Sequence, residues 1–311
     1  MKNENQTTNT NQTSNWQKIQ KSSILKLSII GILILIMLIP LNMVTSLIKE
    51  RQNRKTEATQ QIQEKWGGSV MFSGPILKIP YRSSYRDKKG NSRTYQPKGQ
   101  FIYLFPESEK IDYEVDASFK NYGIYKASIF KSENKIEGVF NPDYLKGIAV
   151  APNLINWSKS KILFGVSSLK GVGSSIEIKV KDKTLKVSNS STSQISGYTH
   201  DEKNGEITGG LHYLETEAFN LNTENASFKF KMNFLLNGSS NIRFMPIAQE
   251  TKVKLKSEWN NLSHFGYFLP QQTVKNGKVS EAQWAVMGMN RAIPKAKIDL
   301  LPSYASYSFG T

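Results

Sequence analysis

Three regimes of hydrophobic and polar positions follow one another along the chain. Residues 27–48, LSIIGILILIMLIPLNMVTSLI, contain no charged side chain. As a helix this stretch reaches about 33 Å, enough to cross a hydrocarbon core of roughly 30 Å. Gly31 and Pro40 are tolerated in such a helix. The pattern predicts a transmembrane helix over residues 23–48. A cleaved signal peptide is the rival reading, but its apolar core is usually shorter and no A-x-A-like site follows. Lys49, Arg51, Arg54 and Lys55 follow instead, as expected of an uncleaved anchor.

On either side the pattern changes abruptly. Residues 1–22, with NENQTTNTNQTSN at 3–15, are polar and almost free of apolar side chains, and they read as a disordered tail. Residues 49–66 lack glycine and proline and favour helix, so they predict a stalk continuing the membrane helix to Trp66. Gly67-Gly68 then marks its end, glycine being the usual residue at a helix C-terminus. In WGGSVMFSGPILKIPY (66–81), Gly74-Pro75 reads as a bend or an edge-strand break, because proline cannot donate to a ladder. Ile76-Leu77-Lys78-Ile79 is then expected to be the first committed strand.

From residue 67 to 311 the dominant period is two. Phe228, Phe230, Met232 and Phe234 share one face against Lys229, Lys231 and Asn233. Similar alternation marks 111–119, 175–181 and 252–256, the pattern of antiparallel strands with one packed and one wet face. FIYLF (101–105) and KILFGV (161–166) are continuously apolar and predict central strands. RDKKGN (86–91), KDKT (181–184) and SNSSTS (188–193) supply turns or loops. The expected fold is mainly β: a large antiparallel β-sandwich or extended sheet, with a barrel as a further possibility, preceded by one transmembrane helix and its stalk.

Composition narrows the chemistry. Lysine and arginine exceed aspartate and glutamate by 41 to 25, a formal charge of +16. The lysines are spread through alternating strands rather than gathered in a stripe, and no nucleic-acid-binding motif accompanies them, so no nucleic-acid partner is expected. There is no cysteine, which excludes disulfides, thiolate zinc and thiol catalysis. The three histidines, His200, His212 and His264, stand in no catalytic or zinc-binding motif. Gly171-Val172-Gly173 leads into a predicted strand and lacks the third glycine of a dinucleotide loop. No catalytic, cofactor-binding or metal-binding residue, and no cofactor, is expected; the residues indicate no enzyme.

The order of certain short motifs resembles the CreD family of bacterial inner-membrane proteins, associated with cell-envelope integrity. These are Glu50-Arg51; Trp66 with Ser73-Gly74-Pro75-Ile76 and Ile79-Pro80; Leu104-Phe105-Pro106-Glu107-Ser108; and Tyr122-Gly123-Ile124-Tyr125. Later come Gly209-Gly210-Leu211-His212, Ser257-Glu258-Trp259, Phe265-Gly266, Phe268-Leu269-Pro270, Ala282, Trp284 and Asn290-Arg291. Asn121-Tyr122 and Ser168-Leu169-Lys170-Gly171 depart from the family pattern, which often carries arginine at the first and an Asp-x-Arg-Gly-like stretch at the second.

The resemblance implies a plasma (inner) membrane protein with a cytoplasmic N-terminus and an extracytoplasmic domain, although the basic residues flanking the span lean slightly the other way. It also implies a link to envelope stress signalling and colicin tolerance, with no catalytic residues to carry over. Such proteins have further hydrophobic helices after the domain; this chain ends at SYASYSFGT, which reads as a fragment or a truncated gene product. Expected partners are the lipid bilayer and possible contacts with other envelope proteins or cell-wall glycan. The alternative function is a ligand-binding or sensory module for a lipid or cell-wall fragment.

Overall fold

The structure, a computed structural model, describes residues 23–310 except 98, 191–210, 222–225, 260–261, 292 and 300–308. The predicted tail at 1–22 lies outside the described residues, as do His200 and the second half of the SNSSTS stretch, 191–193. The chain divides into two compact units, Met1–Glu57 and Ala58–Thr311. One helix, α1 (Ser23–Trp66), crosses the division and contains the apolar window; none of its residues is buried in protein. Gly68 N–H donates to the Gln63 carbonyl at 2.7 Å, satisfying one of the carbonyls that every helix end leaves open.

The second unit holds the strands. In chain order they begin with β1 (Val70–Pro80), the small hairpin β2 (Ser83–Arg86) and β3 (Ser92–Tyr95), β4 (Phe101–Leu104), and the long hairpin β5 (Ser108–Tyr122) with β6 (Tyr125–Phe140). There follow β7 (Lys161–Val166), β8 (Val172–Val180), β9 (Lys183–Leu185), β10 (Val187–Asn189) and β11 (His212–Thr216). The remainder supplies β12 (Phe228–Ser239), β13 (Ile242–Met245), β14 (Glu250–Ser257), β15 (Phe265–Gly266) and β16 (Gln272–Asn276). It closes with β17 (Val279–Met287), β18 (Ala296–Ile298) and β19 (Phe309–Gly310).

Among the described residues these strands form two large sheets. The first runs β10-β11-β7-β1-β13-β19-β15, with β4 also on β1 and β18 on β4; the second runs β16-β17-β14-β5-β6-β12-β8-β9. The sheets face each other across one apolar core. Phe72 of β1 stacks on Phe234 of β12 at 4.9 Å, and Tyr113 of β5 stacks on Phe244 of β13 at 5.4 Å. Each such side chain contributes roughly 2–3 kcal/mol when removed from water. The mainly β expectation holds, with one refinement: the pairings of β1 with β13 and of β14 with β5 are parallel. Parallel neighbours need long crossover connections, and alternation within one strand carries no record of them.

The alternating lysines line the wet face of the second sheet. Lys231 pairs with Glu137 across strands at 2.8 Å, and Lys254 with Glu281 at 3.0 Å. Pairs this exposed are worth about 0–1 kcal/mol each. They account for much of the basic composition as a solvated surface.

The Gly74-Pro75 expectation needs correction. Every residue of β1, including Gly74 and Pro75, is buried, and the strand begins at Val70 rather than Ile76. It lies inside the sheet, not at an edge. On one side β1 follows β7 with a register shift between Ser73 and Ile76. On the other, Val70–Ser73 pair with β13, while residues 77–80 pair with β4. Pro75 falls in the gap between those two partners, where no ladder bond needs its missing N–H. Gly74 has φ +120, and a Cβ there would lie 2.8 Å from Phe164 Cβ and 2.9 Å from Phe164 Cα. The dipeptide is an internal partner exchange.

Candidate functional site

The end of α1 meets the β unit at two points. Trp66 Nε1 donates to the Phe130 carbonyl at 3.3 Å, and Gln63 Nε2 donates to Ser240 Oγ at 2.6 Å. Lys120 Nζ sits 5.4 Å from the centre of the Trp66 ring, within range of a cation–π attraction. Gly67 fits because it has no side chain: a Cβ would lie 2.6 Å from the Asn237 carbonyl oxygen and 2.9 Å from Gly171 Cα. Gly171 thereby has a packing role, with a strand following it.

Phe130 and Ser240 also rim an apolar cleft of about 390 Å³. Val115, Ile129, Ile242, Trp259 and Leu262 supply its walls. Trp259 is held edge-on against the exposed Phe119 at 5.0 Å. The volume lies within the usual range for small-molecule sites, which are mostly apolar with a few polar groups at the rim. Ser128, Ser240, Asn241 and Ser263 provide those groups here.

The histidines do not assemble a site. His212 lies on β11 opposite Val166. His264 packs edge-on to Trp284 at 5.4 Å, and burial, with a smaller effect from Lys275, holds its pKa below the ordinary value. Among the described residues no hydrogen bond joins either histidine to a carboxylate, and no group of three or more histidine, aspartate or glutamate side chains has metal-binding geometry.

A charged cluster that the sequence reading passed over lies on β1, β7 and β11. Glu215 Oε2 accepts from the buried Lys78 Nζ at 3.1 Å and from Ser190 Oγ at 2.8 Å; Oε1 accepts from Lys161 Nζ at 2.6 Å. Burial pushes the Glu215 pKa up, but the bonds from Lys161 and Ser190 and the charge and bond of Lys78 outweigh it, leaving it below the ordinary carboxylate value. Lys78 also lies 4.2 Å from the centre of the Phe101 ring. The available signal was Lys78 itself: a lysine inside PILKIPY, in a strand buried on both faces, must find an anion.

These features define a class: a protein with one membrane-length helix leading into a mixed β-sandwich that has an apolar cleft beside the junction. The chain belongs to the family described as "Inner membrane protein CreD", whose sequence model matches residues 22–308. It is 24% identical over 252 residues to inner membrane protein CreD of Escherichia coli (strain K12), an alignment covering 81% of this chain and 52% of that relative. The chain thus spans about half the length of the curated relative it matches. A solved structure with a provisional protease assignment, from Parabacteroides distasonis, overlaps 64% of this chain and 39% of its own at 8% identity. Its TM-score of 0.25 is too low to bear on fold or chemistry.

Proposed function

We propose that this inner-membrane protein is a cell-envelope integrity factor acting without catalysis. In this reading the N-terminus is cytoplasmic and the β domain extracytoplasmic, with links to envelope stress and colicin tolerance. The observation that carries the reading is the helix Ser23–Trp66, which continues from an apolar span directly into the sheet domain. A transmembrane helix of that kind sits in the lipid bilayer; contacts with other envelope proteins or cell-wall glycan belong to the proposal. Large domains translocate despite basic flanks such as Lys49 and Arg51. A phosphatase reporter fused after Thr311 is expected to be active outside the cytoplasm. Activity of a cytoplasm-only reporter at that position would overturn the orientation. Unchanged sensitivity to detergents, β-lactams and colicins after gene deletion would overturn the integrity role.

The cleft favours a second reading, in which the domain binds an apolar molecule such as a lipid or the lipid part of a cell-wall fragment. Ala117 lines the cleft, so Ala117→Trp should fill it and abolish any lipid-induced thermal shift. A shift that survives this substitution would place binding elsewhere.

A further inference from the structure

β5 carries a second buried carboxylate. Glu109, only 3% exposed, shares the core-facing side of the strand with Ile111, Tyr113 and Val115. Thr251 of β14, also buried, is its register partner in the parallel pair. Arg291, 4% exposed, follows the turn after β17; its Nη2 donates to the Ala248 carbonyl at 2.6 Å. Glu109 and Arg291 act on each other electrostatically, yet no direct hydrogen bond joins them.

Both Glu109 oxygens, together with Arg291 Nε and Nη1, Thr251 Oγ1, Gln249 Nε2 and Tyr113 OH, are buried without a hydrogen-bond partner in the protein. These atoms are complementary: two carboxyl oxygens, three N–H donor groups, and two hydroxyls that can serve either way. An unpartnered buried polar atom costs on the order of 1–3 kcal/mol. A grouping of seven within one core is therefore expected to be bridged by something polar and small, and buried water is the usual agent.

We propose that Glu109 and Arg291 form an internal water- and proton-binding site, with bridging water held by Thr251 and Gln249, and that proton uptake at Glu109 tightens the domain in acid. The nearby charges on flanking strands do not compete. Lys110, Glu137 and Lys252 lie on the exposed face, and Glu250 pairs with Lys252 at 2.7 Å. Among the described residues, Arg291 and Tyr113 are the ionisable groups coupled electrostatically to Glu109.

Burial raises the Glu109 pKa from 4.5 to about 8, against a smaller lowering effect of Arg291. Burial also lowers Arg291 to about 10, so it remains cationic at neutral pH. A carboxyl whose folded pKa is raised binds its proton more tightly when folded. Its contribution to stability is complete below the unfolded value of 4.5 and is lost as pH rises toward about 8.

The test uses the full chain in detergent or nanodiscs, unfolded thermally and by denaturant from about pH 4 to about pH 9. Relative to Glu109→Gln, the folded-to-unfolded ratio of the wild type should fall by roughly tenfold per pH unit between those two values. Arg291→Met should move the upper limit of that window to higher pH. Because either variant could fail to fold, the wild type is also titrated by infrared spectroscopy, where a protonated carboxyl band should persist at neutral pH and vanish in alkali. Parallel pH profiles for wild type and Glu109→Gln, or absence of that band at neutral pH, would overturn the proton site. A high-resolution crystal structure with Glu109 directly on Arg291 and no bridging water would overturn the water site.

Discussion

Gly74→Ala should lower the stability of the β domain by about 4 kcal/mol. Two costs combine. The backbone at φ +120 is a conformation that side-chain-bearing residues rarely adopt, and holding one there costs about 1–3 kcal/mol. The new methyl would also press on Phe164 Cα and Cβ, at 2.9 and 2.8 Å. That second collision involves backbone and the root of a buried side chain, so no rotamer change relieves it, and overpacking costs about 1–3 kcal/mol. A natural domain is stable by only about 5–15 kcal/mol. The measurement is thermal unfolding of the full chain in detergent, supported by resistance to limited proteolysis. Gly90→Ala is the control: Gly90 lies in the β2–β3 turn with nothing within 4 Å of its Cβ position. Its φ of +79 still carries a conformational cost, so the comparison isolates the collision at Gly74. Equal losses from the two substitutions would show that packing against Phe164 contributes nothing.

Glu215→Ala should be nearly as damaging, at about 3–5 kcal/mol, because it removes the carboxylate that the buried Lys78 ammonium meets at 3.1 Å. Lys161 is about one-third exposed and can turn to water; Lys78 cannot. The double substitution Lys78→Met with Glu215→Leu should recover most of the loss, since well-packed apolar residues often replace a buried ion pair at little cost. A double variant no more stable than Glu215→Ala would mean that the damage arises from the Glu215 bonds to Lys161 and Ser190. The pH dependence has the opposite sign from that at Glu109. With its pKa held below the ordinary value, Glu215 contributes stability that is present above the unfolded carboxylate pKa and lost as pH falls through the lower folded one. Two buried carboxylates in one domain thus oppose each other: Glu109 adds stability as pH falls, while Glu215 loses its contribution in strong acid.

The sequence made the faces of the strands legible but not their partners. Phe228, Phe230, Met232 and Phe234 reveal the buried side of β12 because each pleat reverses the side chain. Nothing in that period says that β12 lies between β6 and β8, or that β14 runs parallel to β5. Gly74-Pro75 misled for the same reason. Proline's missing donor signals an interruption of pairing, and only the three-dimensional sheet shows that the interruption separates two successive partners of one central strand. The polar residues of the core were partly legible. Glu109 is in phase with Ile111, Tyr113 and Val115 on the buried face of β5, so extending the alternation two residues back places a carboxylate inside. Its counterpart Arg291 lies 182 residues further on in sequence, beyond any local period. The cleft was not legible, because Ile129, Ile242 and Trp259 read individually as ordinary core residues.

The entry of the chain into β1 has a mechanical consequence. Tension arriving through the membrane helix passes Gly67-Gly68 and enters the fold at Val70, the first residue of a strand bonded to β7 on one side and to β13 and then β4 on the other. A pull along that strand loads two ladders in shear, many hydrogen bonds at once, instead of peeling an edge one bond at a time. The chain therefore enters the fold on a strand bonded on both sides and not on an edge strand.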